Sequence, residues 1–247
     1  MAKVSQWHRL SRDVAIFHLK ADSGERFPDY IAGQNIQLFR AGETLHYSIV
    51  SAPFETQQHN FLEFFVNRDR DFSEGDQMTF SDSASGDFIL EKTLHFQNVL
   101  FVGTGTGVAP FVSMVRDLDK TSVGGTRYTL LHASRNFDEL GYDRELSAIE
   151  AHRKFDFVYI PTVSRPSVDD WKIDSLGKGR AGNLLRNLLN LPPKGEAVLP
   201  ACLQNKDWKQ RLDPRCTIIL ACGSHASVSD VQDVATETRI PFVKEDW

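Results

Sequence analysis

The hydrophobic pattern of this chain changes period once, near residue 95, and that change limits the fold more than any other feature. Up to about residue 92 the apolar residues alternate in short runs broken by polar or Gly/Pro/Asp turns. These are VAIFHLKA (14–21), NIQLF (35–39), HYSIV (46–50), FLEFFV (61–66), QMTF (77–80) and DFIL (87–90). A period of two over such lengths marks half-buried strands, and six or so at this spacing predict an antiparallel β-barrel. From residue 98 the apolar runs become continuous, at NVLFV (98–102), YTLLHA (128–133), FDFVYIPTV (155–163) and TIILAC (217–222). Between them PFVSMVRDLD (110–119), DELGYDRELSAIEAHRK (138–154), GNLLRNLLN (182–190) and HASVSDVQDVATET (225–238) have helical character. Buried strands alternating with amphipathic helices predict a parallel sheet covered on both faces. The expected architecture is therefore two-domain, an N-terminal barrel over 1–95 and a C-terminal α/β domain over 96–247, and 247 residues suit two modest domains.

Composition removes whole classes of function. Hydrophobic residues at 41%, charged residues at 25% and a mean hydropathy of -0.32 are those of a chain that folds by itself in water. A net charge of -5 argues against nonspecific binding to nucleic acid or anionic membranes, which needs a dense basic surface. That imbalance is local: residues 1–92 carry 9 Lys+Arg against 14 Asp+Glu, and the remainder is balanced. The start MAKVSQWHRL lacks the pattern of a secretory signal and no window has the apolar length of a membrane span, so a cytoplasmic location is expected. Cys202, Cys216 and Cys222 are an odd number without a CxxC pair, which argues against a disulfide framework or a Cys-rich zinc site. They also fall short of the about four ligands of an iron–sulfur cluster, and the eight His show no metal-binding spacing.

The segment VLFVGTGTGVAPFVSMV (99–115) runs from an apolar strand through a Gly-rich turn and past a Pro into an amphipathic helix. Gly103, Gly105 and Gly107 allow positive φ and close backbone approach, and Pro110 suits a first helical turn. Such a turn can bring backbone N–H groups toward a dinucleotide, or it can be a tight strand-to-helix connection of any α/β protein. Ser134 and Arg135 follow the next strand, Ser164 and Arg165 the one after, and Arg180 comes soon afterwards. No acid stands where NAD-binding folds hold the ribose 2′-OH, and three cations could converge on the 2′-phosphate of NADP instead. Each alone also reads as a solvated charge. Cys222, in CGSHASVSD (222–230), is placed at the carboxyl edge of the sheet, where ligands bind, or is a small buried hydrophobe. In HYSIVSAP (46–53), Tyr47 offers a ring for stacking or for the barrel core, and Ser48 a hydroxyl.

The ordered set HYSIVSAP, ASGDFIL (84–90), GTGTGVAP (103–110), the two Ser-Arg pairs, ELGYDREL (139–146), CGS (222–224) and a final aromatic resembles the ferredoxin–NADP(+) reductase family, most of all its compact bacterial ferredoxin/flavodoxin reductases. The resemblance runs from about residue 30 onward. It implies an FAD-binding barrel and an NADP(H)-binding α/β domain. By it, Tyr47 stacks on the isoalloxazine and Ser48 lies near N5, with His46, Ile49, Phe65, Thr106 and Trp247 completing the FAD set. Gly103, Gly105, Gly107, Arg135, Ser164, Arg165, Arg180 and Gly223 form the NADP set. Ser48, Cys222 and Glu245 are the catalytic candidates, Cys222 beside the nicotinamide and Glu245 on the proton path. Two features depart from the family. Leu45 stands where members have the Arg that neutralises the FAD pyrophosphate, and the segment VNRDRDFSEGD (66–76) is shortened. Losing one such contact costs about 1.5–3 kcal/mol, and Arg40, Arg68 or Arg70 is expected to supply the charge.

The implied reaction is hydride exchange between NADP(H) and FAD, then single-electron exchange with ferredoxin or flavodoxin, by a monomer. Because the cysteines cannot hold a cluster, the carrier must be a separate protein. The acidic barrel fits poorly with an acidic carrier, for which Lys172, Lys178 and Lys206 are the available steering cations, and it favours an oxygenase or another acceptor. A protein that senses NADP(H) with little or no FAD is the non-enzymatic alternative.

Overall fold

The computed structural model describes residues 1–67, 72–121, 124–203 and 208–246. The chain divides into two compact units: Met1–Lys92 with Ala109–Ser122, and Thr93–Val108 with Val123–Trp247.

The first unit is built on β1 (Ala2–Arg9), β2 (Val14–Ala21), β3 (Asn35–Arg40), β4 (Glu43–Ser48), β5 (Phe61–Asn67) and β6 (Gln77–Phe80), with a short helix α1 (Pro53–His59) between β4 and β5. The antiparallel order is β4-β3-β6-β1-β2-β5. Just past β4, the Val50 N–H donates to Glu63 O at 2.9 Å, so the two ends of the sheet meet and the sheet closes as a barrel. Alternation makes the core: Phe17, Leu19, Ile36, Leu38, Leu62 and Phe64 all point inward and are essentially inaccessible. Helix α2 (Ala109–Thr121) belongs to this unit, tied to it by Ser113 Oγ donating to Ser51 O at 2.8 Å.

Three expectations change here. DFIL is not a strand: Phe88 is buried against Phe111 of α2, ring centroids 5.3 Å apart, and the chain turns through a 3-10 helix at Leu90–Thr93. Burial against a helix, not sheet pairing, explains those apolar residues. Strand β1 was not expected, because only Ala2 and Val4 bury fully before a bulge between Val4 and Gln6 breaks its alternation. Helix α1 lies in a stretch that the hydrophobic pattern does not mark. It forms because Pro53 supplies the first helical φ and the Glu55 carboxylate accepts from the Ala52 N–H at 2.7 Å.

The second unit holds β7 (Asn98–Thr104), β8 (Arg127–Ser134), β9 (Asp156–Val163), β10 (Gly177–Gly179), β11 (Ala197–Val198), β12 (Thr217–Gly223) and β13 (Phe242–Asp246), in the order β11-β10-β9-β8-β7-β12-β13. All pairs are parallel except β10 with β11. The helices are α3 (Asp143–His152), α4 (Ala181–Leu188), α5 (Trp208–Arg211) and α6 (His225–Thr238). Leu184, Leu185, Leu188, Val228, Val231 and Val234 of α4 and α6 pack with Leu131, Val158 and Ile160 on one sheet face. Period two sends Tyr159 to the other face, where its hydroxyl bonds to Asp143 of α3. Strands β10, β11 and β13 are short edge additions that the sequence pattern did not mark.

Candidate functional site

Parallel strands that end level create a row of loops at one edge, and the candidate residues of the second unit gather there. Gly103 and His132 pair in register, as do Gly103 and Cys222, so the ends of β8, β7 and β12 are aligned. Of the three glycines in the turn, only Gly105 uses positive φ, at 57°, whereas Gly103 and Gly107 serve close approach. A Cβ on Gly103 would lie 2.7 Å from Val108 Cα, and one on Gly107 would lie 2.6 Å from Gly223 Cα. The turn Gly105–Val108 is thus a 3-10 helix seated on the backbone of Cys222 and Gly223, with Thr106 buried in it. Gly223, at φ 147°, faces the Thr104 hydroxyl, whose oxygen is buried with no hydrogen-bond partner.

Two strands over, the Ser-Arg pairs lie side by side. The Ser164 N–H donates to Ser134 O at 3.0 Å and the Arg165 N–H to Arg135 O at 2.9 Å. The buried Glu139 carboxylate accepts from the Arg135 N–H and from Asn136 Nδ2, both at 3.1 Å, which folds that loop and leaves the Arg135 side chain exposed. Lys178 of β10 pairs with Val163 of β9, and Arg180 and Arg165 each follow two residues later, beyond the ends of these neighbouring strands. None of the three guanidinium groups has an ion-pair partner among the described residues, in contrast to Arg186 with Glu237 at 2.8 Å and Arg211 with Asp156. Three unpaired cations at one sheet edge can bind a dianionic phosphate by charge-assisted bonds.

Cys222 is fully buried and pairs in register with Glu245, as Gly223 does with Asp246. Burial first, then the neighbouring Glu245 and Asp246 charges, push its thiol well above the ordinary value. The sulfur is therefore protonated at neutral pH, which suits packing against a ring and not nucleophilic attack. Asp246 is held below the usual carboxylate range, chiefly by its hydrogen bond with His225.

In the first unit, Tyr47 and Ser48 sit half-buried at the end of β4. The Tyr47 ring contacts Phe64 and Phe17, at 5.9 and 6.4 Å between centroids, so part of it belongs to the barrel core. His46 is exposed, while Ile49 and Phe65 are buried. Leu45 is buried and Arg40 is paired with Asp76 at 2.7 Å and lies over the Phe72 ring, so neither presents an uncompensated cation. Arg68, Arg70, Lys206 and Trp247 lie outside the described residues. One of the expected steering cations is committed elsewhere: Lys178 is buried with Nζ donating to Ile173 O and Leu176 O at 2.8 and 2.7 Å. Lys172 pairs with Asp169 at 2.7 Å, but both side chains are exposed.

Sequence reasoning also missed a buried chain beneath this edge. The Tyr159 hydroxyl lies 3.0 Å from His132 Nδ1, both buried. His132 Nε2 is buried and has no hydrogen-bond partner among the described residues. Among the described residues no cluster of His, Cys, Asp and Glu could hold a metal ion, and no helix is long and apolar enough to cross a membrane.

A family profile described as "Oxidoreductase NAD-binding domain" matches residues 101–180. The chain is 27% identical over 157 residues to a ferredoxin–NADP reductase of Azotobacter vinelandii, covering 57% of this chain and 56% of the relative. It is 25% identical over 189 residues to a phthalate dioxygenase reductase of Burkholderia cepacia, covering 67% and 56%. It thus spans just over half the length of these curated relatives. A ferredoxin NADP+ reductase from Neisseria gonorrhoeae, solved with bound FAD and NADP, has the same fold, with a TM-score of 0.73, 21% identity and coverage of 99% of this chain and 97% of that one. An Amycolatopsis cytochrome P450 reductase shares it too, with a TM-score of 0.72, 18% identity and coverage of 99% and 68%.

Proposed function

We propose that the chain is a member of the ferredoxin–NADP reductase family, which the profile match, the curated relatives and the shared fold support, and that it is an FAD-dependent oxidoreductase that exchanges hydride with NADP(H) and single electrons with ferredoxin or flavodoxin. The observation that carries this reading is the trio Arg135, Arg165 and Arg180, without an ion-pair partner among the described residues, at the carboxyl edge of the parallel sheet that also carries the Gly-rich turn. FAD, when bound, supplies the conversion of one hydride into two single-electron transfers.

The residues of this chain orient and control protons. Arg135, Arg165 and Arg180, with Ser164, hold the 2′-phosphate and so select NADP(H) over NAD(H). Gly103, Gly107 and Gly223 pack the turn tightly against Val108, Cys222 and Thr104, which leaves Gly105, with open space around its Cα, to let backbone approach the dinucleotide, and the protonated Cys222 holds the nicotinamide by apolar contact. Glu245, level with Cys222, and Ser48 on β4 manage the proton. Tyr47, half-buried with part of its ring against Phe17 and Phe64, is the ring assigned to stacking on isoalloxazine. These residues suit the ring end of FAD. At the diphosphate end, Leu45 and Arg40 provide no uncompensated charge, which leaves Arg68 and Arg70 to supply it.

The acceptor has a second reading. With Lys178 committed and the acid excess within residues 1–92, an oxygenase component or another acceptor suits the surface better than an acidic carrier. Reduction of cytochrome c by NADPH, with and without added ferredoxin across ionic strength, separates the two. A rate that rises with ferredoxin and falls with salt supports the acidic carrier, and indifference to both supports the other acceptor. The purified protein is expected to be yellow. A colourless protein that binds NADPH and cannot be reconstituted with FAD overturns the oxidoreductase reading in favour of a sensor.

A further inference from the structure

Beyond the second unit's site proper, one side-chain contact joins two elements that flank Cys222. His225, the first residue of α6, meets Asp246 near the end of β13, with Nδ1 to Oδ2 at 2.7 Å. The two residues are 21 apart in the chain. Strand β13 is an edge strand, held to the sheet on one side only, by β12. Its register with β12 sets Glu245 against Cys222 and Asp246 against Gly223. An edge strand frays from its end unless something pins it, and His225 is a group that reaches the end of β13 from another element.

The other charge near Asp246 cannot do the same. Lys244 Nζ lies 3.3 Å from the same oxygen but is on β13 itself, so that contact joins the strand only to itself. The remaining titratable neighbours are Glu245 on β13 and the Cys222 thiol on β12. His225 is 77% exposed and Asp246 21%, so the pair can open without unpacking the core.

We propose that His225 is a positioning residue: through Asp246 it clasps β13 to the head of α6 and keeps the Glu245 carboxylate beside the Cys222 thiol. The proposal rests on the roles given above to Glu245 and Cys222, but the clasp can be read without them, because an opened β13 uncovers a buried thiol.

The experiment compares the whole protein with H225A, H225Q and K244A. Alkylation of Cys222 by iodoacetamide at one fixed pH is followed by peptide mass spectrometry, which separates it from the exposed Cys202 and half-buried Cys216. H225A should label about fivefold faster, the range of a partly exposed ion pair. H225Q, which keeps an N–H donor for Asp246, should return to near the wild-type rate, and K244A should match wild type. In turnover with NADPH, H225A should lose about tenfold in kcat with KM changed by less than about twofold, since the arginines are untouched. Labelling of H225A at the wild-type rate, or equally fast labelling of K244A, overturns the clasp. A wild-type protein that oxidises no NADPH overturns the oxidoreductase reading instead, and the labelling comparison then decides the clasp alone.

Discussion

In the barrel unit, Arg116 and Arg40 meet carboxylates at 2.8 and 2.7 Å, whereas in the α/β unit Arg135, Arg165 and Arg180 stand at a sheet edge with no carboxylate partner among the described residues. Arg116 reaches inward from α2 to Glu63, with Glu55 at 3.4 Å and His18 at 3.8 Å from Glu63, and both Arg116 and Glu63 are largely buried. A cation in that position is fixed by burial, because an uncompensated charge there is costly. A cation left unpaired at a loop edge is free to meet an incoming anion. The pairing pattern, which no sequence displays, is what separates structural arginines from those left free to bind.

The buried pair should give the largest effect when broken. Removing Glu63 by substitution with Ala leaves Arg116 with Glu55 at the longer distance and should cost about 3–5 kcal/mol of stability, read as a lower urea midpoint. A loss near zero would mean that the barrel cations are as loosely committed as those at the sheet edge.

Arg165→Ala should leave stability almost unchanged and act on binding. Losing one charge-assisted contact of about 1.5–3 kcal/mol raises KM for NADPH roughly 10- to 100-fold, with KM for NADH unaltered because that substrate has no 2′-phosphate. Equal effects on both substrates would show that Arg165 is not part of a phosphate site.

How far this contrast was legible depended on which contacts were local. Strands β7, β8, β9 and β12 and helices α4 and α6 announce themselves, since continuous apolar runs and a 3.6-residue period follow from burial within one element. The Gly-rich turn was legible as a turn, but its use of Gly107 for the approach of Cys222 depends on a strand more than a hundred residues away. Lys178 looked like a surface cation because its two carbonyl acceptors come from a loop whose path no pattern encodes. His132 was one of eight scattered His; only the fold brings Tyr159 to it.

That buried histidine sharpens the comparison, because the α/β unit has its own structural titrating group. Burial lowers the His132 pKa from 6.5 to about 3. Between those values the unfolded chain binds a proton that the folded one does not. Stability is therefore full above pH 6.5 and is lost as pH falls toward about 3, with a slope of at most about 1.4 kcal/mol per pH unit. Urea midpoints at pH 7 and pH 5 should differ less in His132→Gln than in the wild type. An unchanged difference would assign the acid sensitivity to other groups.

The smallest effect is expected where a charge is paired but not buried. Lys194 and Asp233 meet at 3.2 Å with both side chains more than half exposed. Water solvates each of them almost as well apart as together, so Asp233→Asn should shift stability by no more than about 0.5 kcal/mol. Set beside Glu63→Ala, this substitution asks whether pairing or burial is what commits a charge. Both remove a carboxylate from a cation, at 2.8 and 3.2 Å, and the chief contrast is burial, with His18 and Glu55 as the further charges around the buried pair. If the urea midpoint moved as far for Asp233→Asn as for Glu63→Ala, pairing alone would be enough. Unpaired arginines at the sheet edge would then be distinguished by the missing partner, whatever their exposure.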